Sequence, residues 1–502
     1  MKVLTVNTQV EARSRRSLRE SWFLALTDLM VIAACFLLGR MVHGFVQGVA
    51  LQDAVAGSSL DYGDERLLLY IGLTLACVLS FRRFGHYARR RPFWQELGDV
   101  LGVTLTMAVI DAALVFLTES EFSRFALVAN WTLVALLVPL SRVAIKRALM
   151  SAGAWRRPTV IVGLGPNALD AAAALASEPL LGLDVIAFVS PPRDEAPMDQ
   201  SAELPSWVDA DDRRLPVLQP GLVPNLLPEY LGRPHVVVAL EMDETARCGD
   251  FIEQLSLHYG DVDIVSPVRG LPLAGAQVTH FFSHDVLALR LRNNLARPWP
   301  KLFKRGLDVV GGALCLLAFS PVFALIAWRV RRAGGNGPVF YGHTRIGQGG
   351  RPFKCYKFRS MVANADQILA ELLEKDERAR AEWEADHKLK DDPRITRIGH
   401  WLRRTSLDEL PQLWNVLKGD MSLIGPRPIV REELARYGKH QVYYLESKPG
   451  MTGLWQISGR SNLDYRRRVH LDCWYVKNWT IWYDVIILLK TAKVVLLRQG
   501  AC

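Results

Sequence analysis

Residues 392–428 read DPRITRIGHWLRRTSLDELPQLWNVLKGDMSLIGPRP, with two adjacent carboxylates, Asp408 and Glu409, in the middle. Arg394, Arg397, Arg403, Arg404 and Arg427 surround them, and a Gly425-Pro426-Arg427-Pro428 turn closes the run. A carboxylate attacks phosphorus or holds Mg²⁺, and arginines fork onto phosphate oxygens, so paired acids among arginines suit phosphoryl chemistry. A purely structural reading stands beside this one. Ser406-Leu407-Asp408-Glu409 is also an S-x-x-E capping box, and acids in a first helical turn complement the macrodipole. Pro411 favours the first helical position, which sets both acids just ahead of a helix, near its free N–H groups.

Other polar residues fall into two further groups. In Tyr356-Lys357-Phe358-Arg359 the cations alternate with aromatics, so a strand puts Lys357 and Arg359 on one face. Taken alone, that is an amphipathic edge strand. Residues 448–460, from Lys448 through Trp455 and Gln456 to Gly459-Arg460, are glycine-rich turns, and loops of this kind often position ligands. Between these groups, residues 362–390 show apolar spacing of three and four, which predicts an amphipathic helix. An aromatic-rich helix is expected over 479–498, where Trp479, Trp482 and Tyr483 suit either a membrane interface or a packed core.

The elements that must position this chemistry begin with a membrane region. Half of the 502 residues are hydrophobic, yet the net charge is +10, a balance that suits a membrane protein with anionic partners. No helix-turn-helix, zinc-finger or aromatic-basic platform supports a nucleic-acid partner. Seven scattered cysteines, with no C-x-x-C pair, argue against a disulfide framework or structural zinc and for a reducing cytosolic face. No cleavable signal peptide is evident, since the first apolar run contains Asp28. Four apolar stretches, near 22–47, 66–81, 97–117 and 124–145, predict a four-helix transmembrane bundle over residues 1–150. Arginines before the first, between the second and third, and after the fourth place both ends of the bundle in the cytoplasm. Asp28 and Asp111 lie inside these spans, as functional groups or as partners of neighbouring side chains.

Residues 151–275 read as a Rossmann-like parallel α/β domain. PTVIVGLGPNALD, 158–170, is a strand, a G-x-G-x-x-A turn and a helix, and further strands are expected at 184–190, 235–240 and 262–266. The glycines are equally explained by a tight turn and close helix packing. The acid expected for a ribose contact would be Asp184, which opens its strand instead of ending it. Segment 191–216 reads as a long loop and 276–300 as a linker.

Residues 301–332 are apolar with basic flanks on both sides, Lys301, Lys304 and Arg305 before and Arg329, Arg331 and Arg332 after. A spanning helix shows charge asymmetry, whereas symmetric flanks keep both ends in the cytosol. Ser320-Pro321 breaks the helix near its centre, because proline lacks an N–H and clashes one turn back. The expectation is a re-entrant hairpin, with a kinked transmembrane helix as the alternative.

The run TSLDELPQLWNVLKGDMSLIGPRP resembles the signature of the bacterial sugar transferases, the polyprenyl-phosphate hexose-1-phosphate transferases. The similarity extends from about Lys301 to the C-terminus and includes Lys357-Phe358-Arg359-Ser360-Met361 and the P-G-x-T-G-x-W-Q run ending at Gln456. The layout resembles the long form of that family, which has four transmembrane helices and a Rossmann-like domain ahead of a monotopic, α-rich catalytic domain, here 333–502. The resemblance implies transfer of hexose-1-phosphate from a UDP-sugar to undecaprenyl phosphate, with release of UMP. It makes Asp408 the nucleophile, through a covalent phosphosugar-aspartyl intermediate, and Glu409 its helper, with Mg²⁺ held by Asp408 and Glu409. It gives Lys357, Arg359, Arg403 and Arg427 to phosphate, sets Gln456, Arg460 and Asp464 near substrate, and makes Ser320-Pro321 the hairpin break. Asn293–Arg297 and Trp474–Thr480 point to galactose, with glucose the runner-up. The product would start an O-antigen, capsule or exopolysaccharide unit at the cytoplasmic face of the inner membrane, made by a homodimer. Two other classes compete. A membrane-anchored nucleotide-sugar dehydratase or epimerase needs NAD and a Tyr-x-x-x-Lys pair in the Rossmann unit, but Tyr444 and Lys448 lie far outside it. A non-enzymatic export scaffold would have inert carboxylates.

Overall fold

Among residues 66–81, charge limits how much membrane a helix can cross. The computed structural model places them in helix α2, Asp64–Arg83, following α1, Trp22–Gly39, and preceding α3, Phe93–Leu117, and α4, Arg124–Ser151. It describes residues 22–39, 41, 48, 64–117, 124–192, 206–210, 213–219, 234–259, 262–272, 276–280, 287–291, 294–333, 337–362, 364–380, 389, 392–459 and 464–496. Helices α1, α3 and α4 are long and apolar enough to cross a membrane. The uncharged part of α2, 67–81, covers only about 22 Å at about 1.5 Å per residue, against a hydrocarbon core of about 30 Å. The chain divides into two compact units, residues 1–269 and 270–502.

In the first unit, Ile32 and Phe36 of α1, Tyr70 and Phe81 of α2, Val103 of α3 and Trp131 of α4 meet in one apolar core. Leucines and phenylalanines on the outer faces, such as Leu68, Leu105, Phe116 and Leu136, stay exposed. That inversion is what a lipid environment asks of a helix bundle. Charge is also buried here. Asp28 is fully enclosed and receives Arg142 through two bonds, Nε to Oδ1 at 3.0 Å and Nη2 to Oδ2 at 2.6 Å. The Tyr87 hydroxyl donates to the same carboxylate at 2.7 Å. Arg142 also reaches Glu96 at 3.0 Å, and Lys146 pairs with Glu96. Asp111 accepts from the Trp131 indole N–H at 2.8 Å. Both membrane acids are therefore held by neighbouring side chains, the structural alternative of the sequence reading.

Behind the bundle, β1 (Arg157–Val162), β2 (Leu183–Val189), β3 (Trp207–Ala210), β4 (Arg213–Leu218), β5 (His235–Val238) and β6 (Val262–Ile264) form one sheet in the order β3-β4-β2-β1-β5-β6. All neighbours are parallel except the β3–β4 pair. Helices α5, Pro166–Ala176, and α6, Gly249–Tyr259, pack against it. Strands β3 and β4 begin within 191–216, the segment expected to be a loop, and β4 runs on to Leu218. They were concealed because β3 is a short, half-exposed edge strand and β4 carries Pro216.

The second unit opens with an antiparallel pair, β7 (Gln277–His280) and β8 (Leu287–Arg290), inside the segment expected to be a linker. Helices α7, Pro298–Ala318, and α8, Ser320–Ala333, follow, bent by 63° at the break. Ser320 Oγ donates to the Leu317 carbonyl at 2.7 Å, and Pro321 stands in the first turn of α8, where its missing N–H costs nothing. Leu314, Leu317, Phe319 and Leu325 are exposed around the bend, while both arms return to the same unit. Gly312 lies against Val416 and Leu417, and Ile326 and Val330 pack on Phe358 and Leu402. The basic start of α7 turns inward. Arg305 donates to the Val416 and Leu417 carbonyls at 2.7 Å each, and Lys304 to Asp484 at 2.7 Å. Two of the three cations read as a membrane flank are thus internal ligands.

Replacing Arg142 with Met leaves Asp28 and Glu96 buried beside a lost cation, at a cost of about 3–5 kcal/mol. The folded yield in detergent should fall sharply, and adding Asp28→Asn should recover part of it.

Candidate active site

A strand and a sharp turn build the site. Strands β9, Phe340–Ile346, and β10, Pro352–Phe358, pair antiparallel. After the amphipathic helix α9, Ala365–Lys375, helix α10, Arg397–Thr405, starts on Thr396, whose side chain accepts from the Gly399 N–H at 3.0 Å. It ends at Ser406, which has φ 56° and is the sole non-glycine in the left-handed region among the described residues. Residues Leu407–Glu409 then form one tight turn ahead of α11, Gln412–Lys418. Ser406 makes no side-chain cap, so the S-x-x-E run is not a capping box here. The Glu409 carboxylate turns to Lys357 instead.

Lys357 Nζ lies 2.7 Å from Glu409 Oε1 and 3.5 Å from Asp408 Oδ2, so one ammonium bridges both acids. Burial opposes the charge on Lys357, but Glu409 and Asp408 outweigh it and hold its pKa above the usual lysine value. Asp408 is buried, and burial pushes its pKa up despite Lys357 and Arg403. A carboxylate kept short of solvation beside a fixed cation is a stronger nucleophile than one in water.

Asn415 holds the turn to the strand. It is fully buried, accepts from the Tyr356 N–H at 3.0 Å and donates to the Lys354 carbonyl at 2.7 Å. It satisfies the edge of β10 as a third strand would, and Tyr356 is the residue next to Lys357. Sequence reasoning missed it, although an Asn inside the apolar run Leu413–Leu417 was the available signal.

The remaining expected residues separate. Arg403 Nε donates to Ser360 Oγ at 3.0 Å, and its charge acts on Asp408. Arg394 is bound to Asp392 at 2.8 and 2.7 Å. Arg359 is buried one residue past β10, its N–H on the Val339 carbonyl. Arg427 lies over the Trp455 ring at 5.7 Å, with Arg468 over the same ring at 5.4 Å. The Arg427 turn is fixed by β11, Ser422–Ile424, pairing with β12, Gly450–Thr452, and by Gly450 N–H on the Pro426 carbonyl at 2.8 Å. Buried Asp472 supports it too, accepting from the Arg427 N–H and, at 2.9 Å, from the Tyr437 hydroxyl. Burial raises its pKa to about 7. Gln456 donates to the Met451 carbonyl at 3.3 Å. Asp464 caps α12, Tyr465–Lys477, accepting from the Arg467 N–H at 2.7 Å, so its carboxylate is committed to the helix. Arg460 lies outside the described residues. In the final helix α13, Ile481–Leu496, Asp484 accepts from buried Trp479 at 3.1 Å, so that indole belongs to the core. Tyr444 is buried with its hydroxyl on the Ile346 carbonyl at 2.8 Å, closed to dehydratase chemistry.

Two outcomes follow. Asn415→Ala leaves a buried N–H and carbonyl unmet, costing about 1–3 kcal/mol for each, and should lower both the unfolding midpoint and turnover. Lys357→Met removes the cation that restrains the Asp408 pKa. The acid limb of the pH–rate profile should therefore move to higher pH.

The bacterial sugar transferase family matches residues 299–498, and a CoA-binding domain family matches residues 82–213. The chain is 45% identical over 95% of its length to undecaprenyl-phosphate galactose phosphotransferase of Salmonella typhimurium, covering 97% of that protein. It is 48% identical to an exopolysaccharide production protein of Rhizobium meliloti, over 41% of this chain and 90% of that one. Against undecaprenyl-phosphate glucose phosphotransferase of Komagataeibacter xylinus it is 37% identical, over 46% of this chain and 43% of that one. The family match over residues 299–498 and near-full-length identity to a phosphotransferase lead to one conclusion: the chain belongs to the bacterial sugar transferases and is a transferase enzyme.

Proposed function

We propose that this enzyme transfers hexose-1-phosphate from a UDP-sugar to undecaprenyl phosphate, with galactose as the sugar and glucose as the runner-up. The observation that carries this is the Lys357 ammonium shared by Asp408 and Glu409. Asp408 attacks the β-phosphorus. The bond from that phosphorus to the bridging oxygen breaks, and UMP leaves with the oxygen. An acyl phosphate then joins Asp408 to the sugar phosphate. A phosphate oxygen of the lipid attacks the same phosphorus, the acyl phosphate bond breaks, and the carboxylate is restored. Arg403, Arg359 and Arg427 supply positive charge for the two phosphates.

Magnesium suits this donor set. Among the described residues no cluster of three or more acids, histidines or cysteines exists that could cage a metal. Asp408 and Glu409 offer hard oxygens, and Mg²⁺ is ordinarily held by one or two carboxylates plus substrate phosphates. Bound there, it would neutralise charge on the diphosphate.

The bent pair α7–α8 is read as a hairpin that enters one leaflet. Its two arms pack on one unit, and α8, at 14 residues, is about 21 Å long, shorter than the bilayer core. That arrangement would hold the dyad at the cytoplasmic surface of the inner membrane, where a lipid phosphate lies. Helix α2 joins the other three as a short fourth span, accommodated by a thinned bilayer and by flanking arginines that reach to the interface. The active form is read as a homodimer, and its product starts an exopolysaccharide or O-antigen repeat.

The test is UMP release by purified protein with Mg²⁺ and undecaprenyl phosphate, comparing UDP-galactose with UDP-glucose. Asp408→Asn should lower the rate on the order of 10³-fold or more. Because burial raises the Asp408 pKa, its contribution to stability is complete at low pH and lost as pH rises through the raised value. The Asn variant should therefore unfold at the same temperature or higher at neutral pH. Full UMP release by that variant would show that Asp408 is not the nucleophile.

A further inference from the structure

The family match over residues 82–213 implies a coenzyme A site, and the G-x-G-x-x-A turn at 163–168 implies a dinucleotide site. Both ligands would bring a diphosphate to the N-terminus of α5, at the switch point where the sheet order reverses between β1 and β5. The residues present do not fit one. We propose that this unit carries its own anion: the Glu241 carboxylate fills the diphosphate position and closes the domain to nucleotide and coenzyme A diphosphates.

Glu241 follows β5 and stands across the crevice from the glycine turn. Its Oε1 accepts from the Asn167 N–H of α5 at 2.7 Å. The same side chain accepts from the Glu244 N–H at the start of the short helix Met242–Arg247, and Glu244 returns a bond to the Glu241 N–H at 2.9 Å. Two helix N-termini thus converge on one carboxylate, which takes the place of a ligand phosphate. The two neighbouring first-turn positions of α5 offer no free donor. Pro166 has no N–H, and the Ala168 N–H bonds back to the Gly165 carbonyl at 3.0 Å. A Cβ on Gly165 would meet Glu241 Oε1 at 2.7 Å, so the close approach that this glycine permits is used by a side chain of the protein. Asn167 Nδ2 bridges the crevice as well, reaching the Leu240 carbonyl at 2.9 Å and the Val265 carbonyl at 3.3 Å. A diphosphate would have to displace a charged carboxylate and leave it facing another anion.

This inference is independent of the sugar and of the catalytic dyad. It is tested on the full-length protein in nanodiscs by equilibrium binding of labelled coenzyme A and labelled NAD⁺, and by thermal unfolding of Glu241→Ala. The expected results are no saturable binding of either ligand at millimolar concentration and an unfolding midpoint lowered by about 2–4 °C in the variant, as for loss of a helix cap. Should Glu241→Ala not fold, Glu241→Gln keeps the size and loses the charge, and its midpoint must also fall. Saturable binding of either ligand by the wild-type protein overturns the proposal, as does a variant as stable as the wild type.

Discussion

The second unit depends on one buried amide. Asn415 carries out the hydrogen bonding of an absent strand, and so fixes the distance between β10 and the turn that bears Asp408 and Glu409. Only a side chain with one donor and one acceptor at that spacing meets both backbone groups. Its backbone carbonyl is engaged as well, accepting from Gly419 and Asp420 at 3.0 Å each, which ends α11 and starts the path to β11. The ammonium of Lys357 can bridge two acids because the strand that carries it cannot slide.

The two units handle buried charge in opposite ways. In the bundle, Asp28 and Glu96 are matched by Arg142 and Lys146, two acids with two bases. At the dyad, two acids share one lysine. The first arrangement is electrically complete and holds helices together. The second leaves two acids bridged by a single ammonium.

The dyad and its surroundings were legible because the chemistry is contiguous: acids, arginines and Pro411 lie within one run. The parallel sheet was legible from its alternating strands. What could not be read is carried by contacts distant in sequence. Asn415 looks like a helix residue until β10 lies beside it, and Glu241 meets Asn167 from 74 residues away. In the basic flank ahead of the 301–332 hairpin, Lys304 and Arg305 find carboxylate and carbonyl partners that charge counting cannot foresee. The S-x-x-E run misled because Ser406 adopts a left-handed conformation, fixed by the end of α10.

The bond between Asp28 and Arg142 also sets a timing problem for the ribosome. The partners are 114 residues apart, on the first and last helices of the bundle. At a synthesis rate of about 5–20 residues per second, the acid waits on the order of ten seconds for its base. During that interval Asp28 lacks the counter-charge that the folded bundle gives it, so its pairing waits on the fourth helix. Assembly of the bundle is therefore gated by its last helix, and a chain stalled before residue 142 would be a natural substrate for membrane quality control.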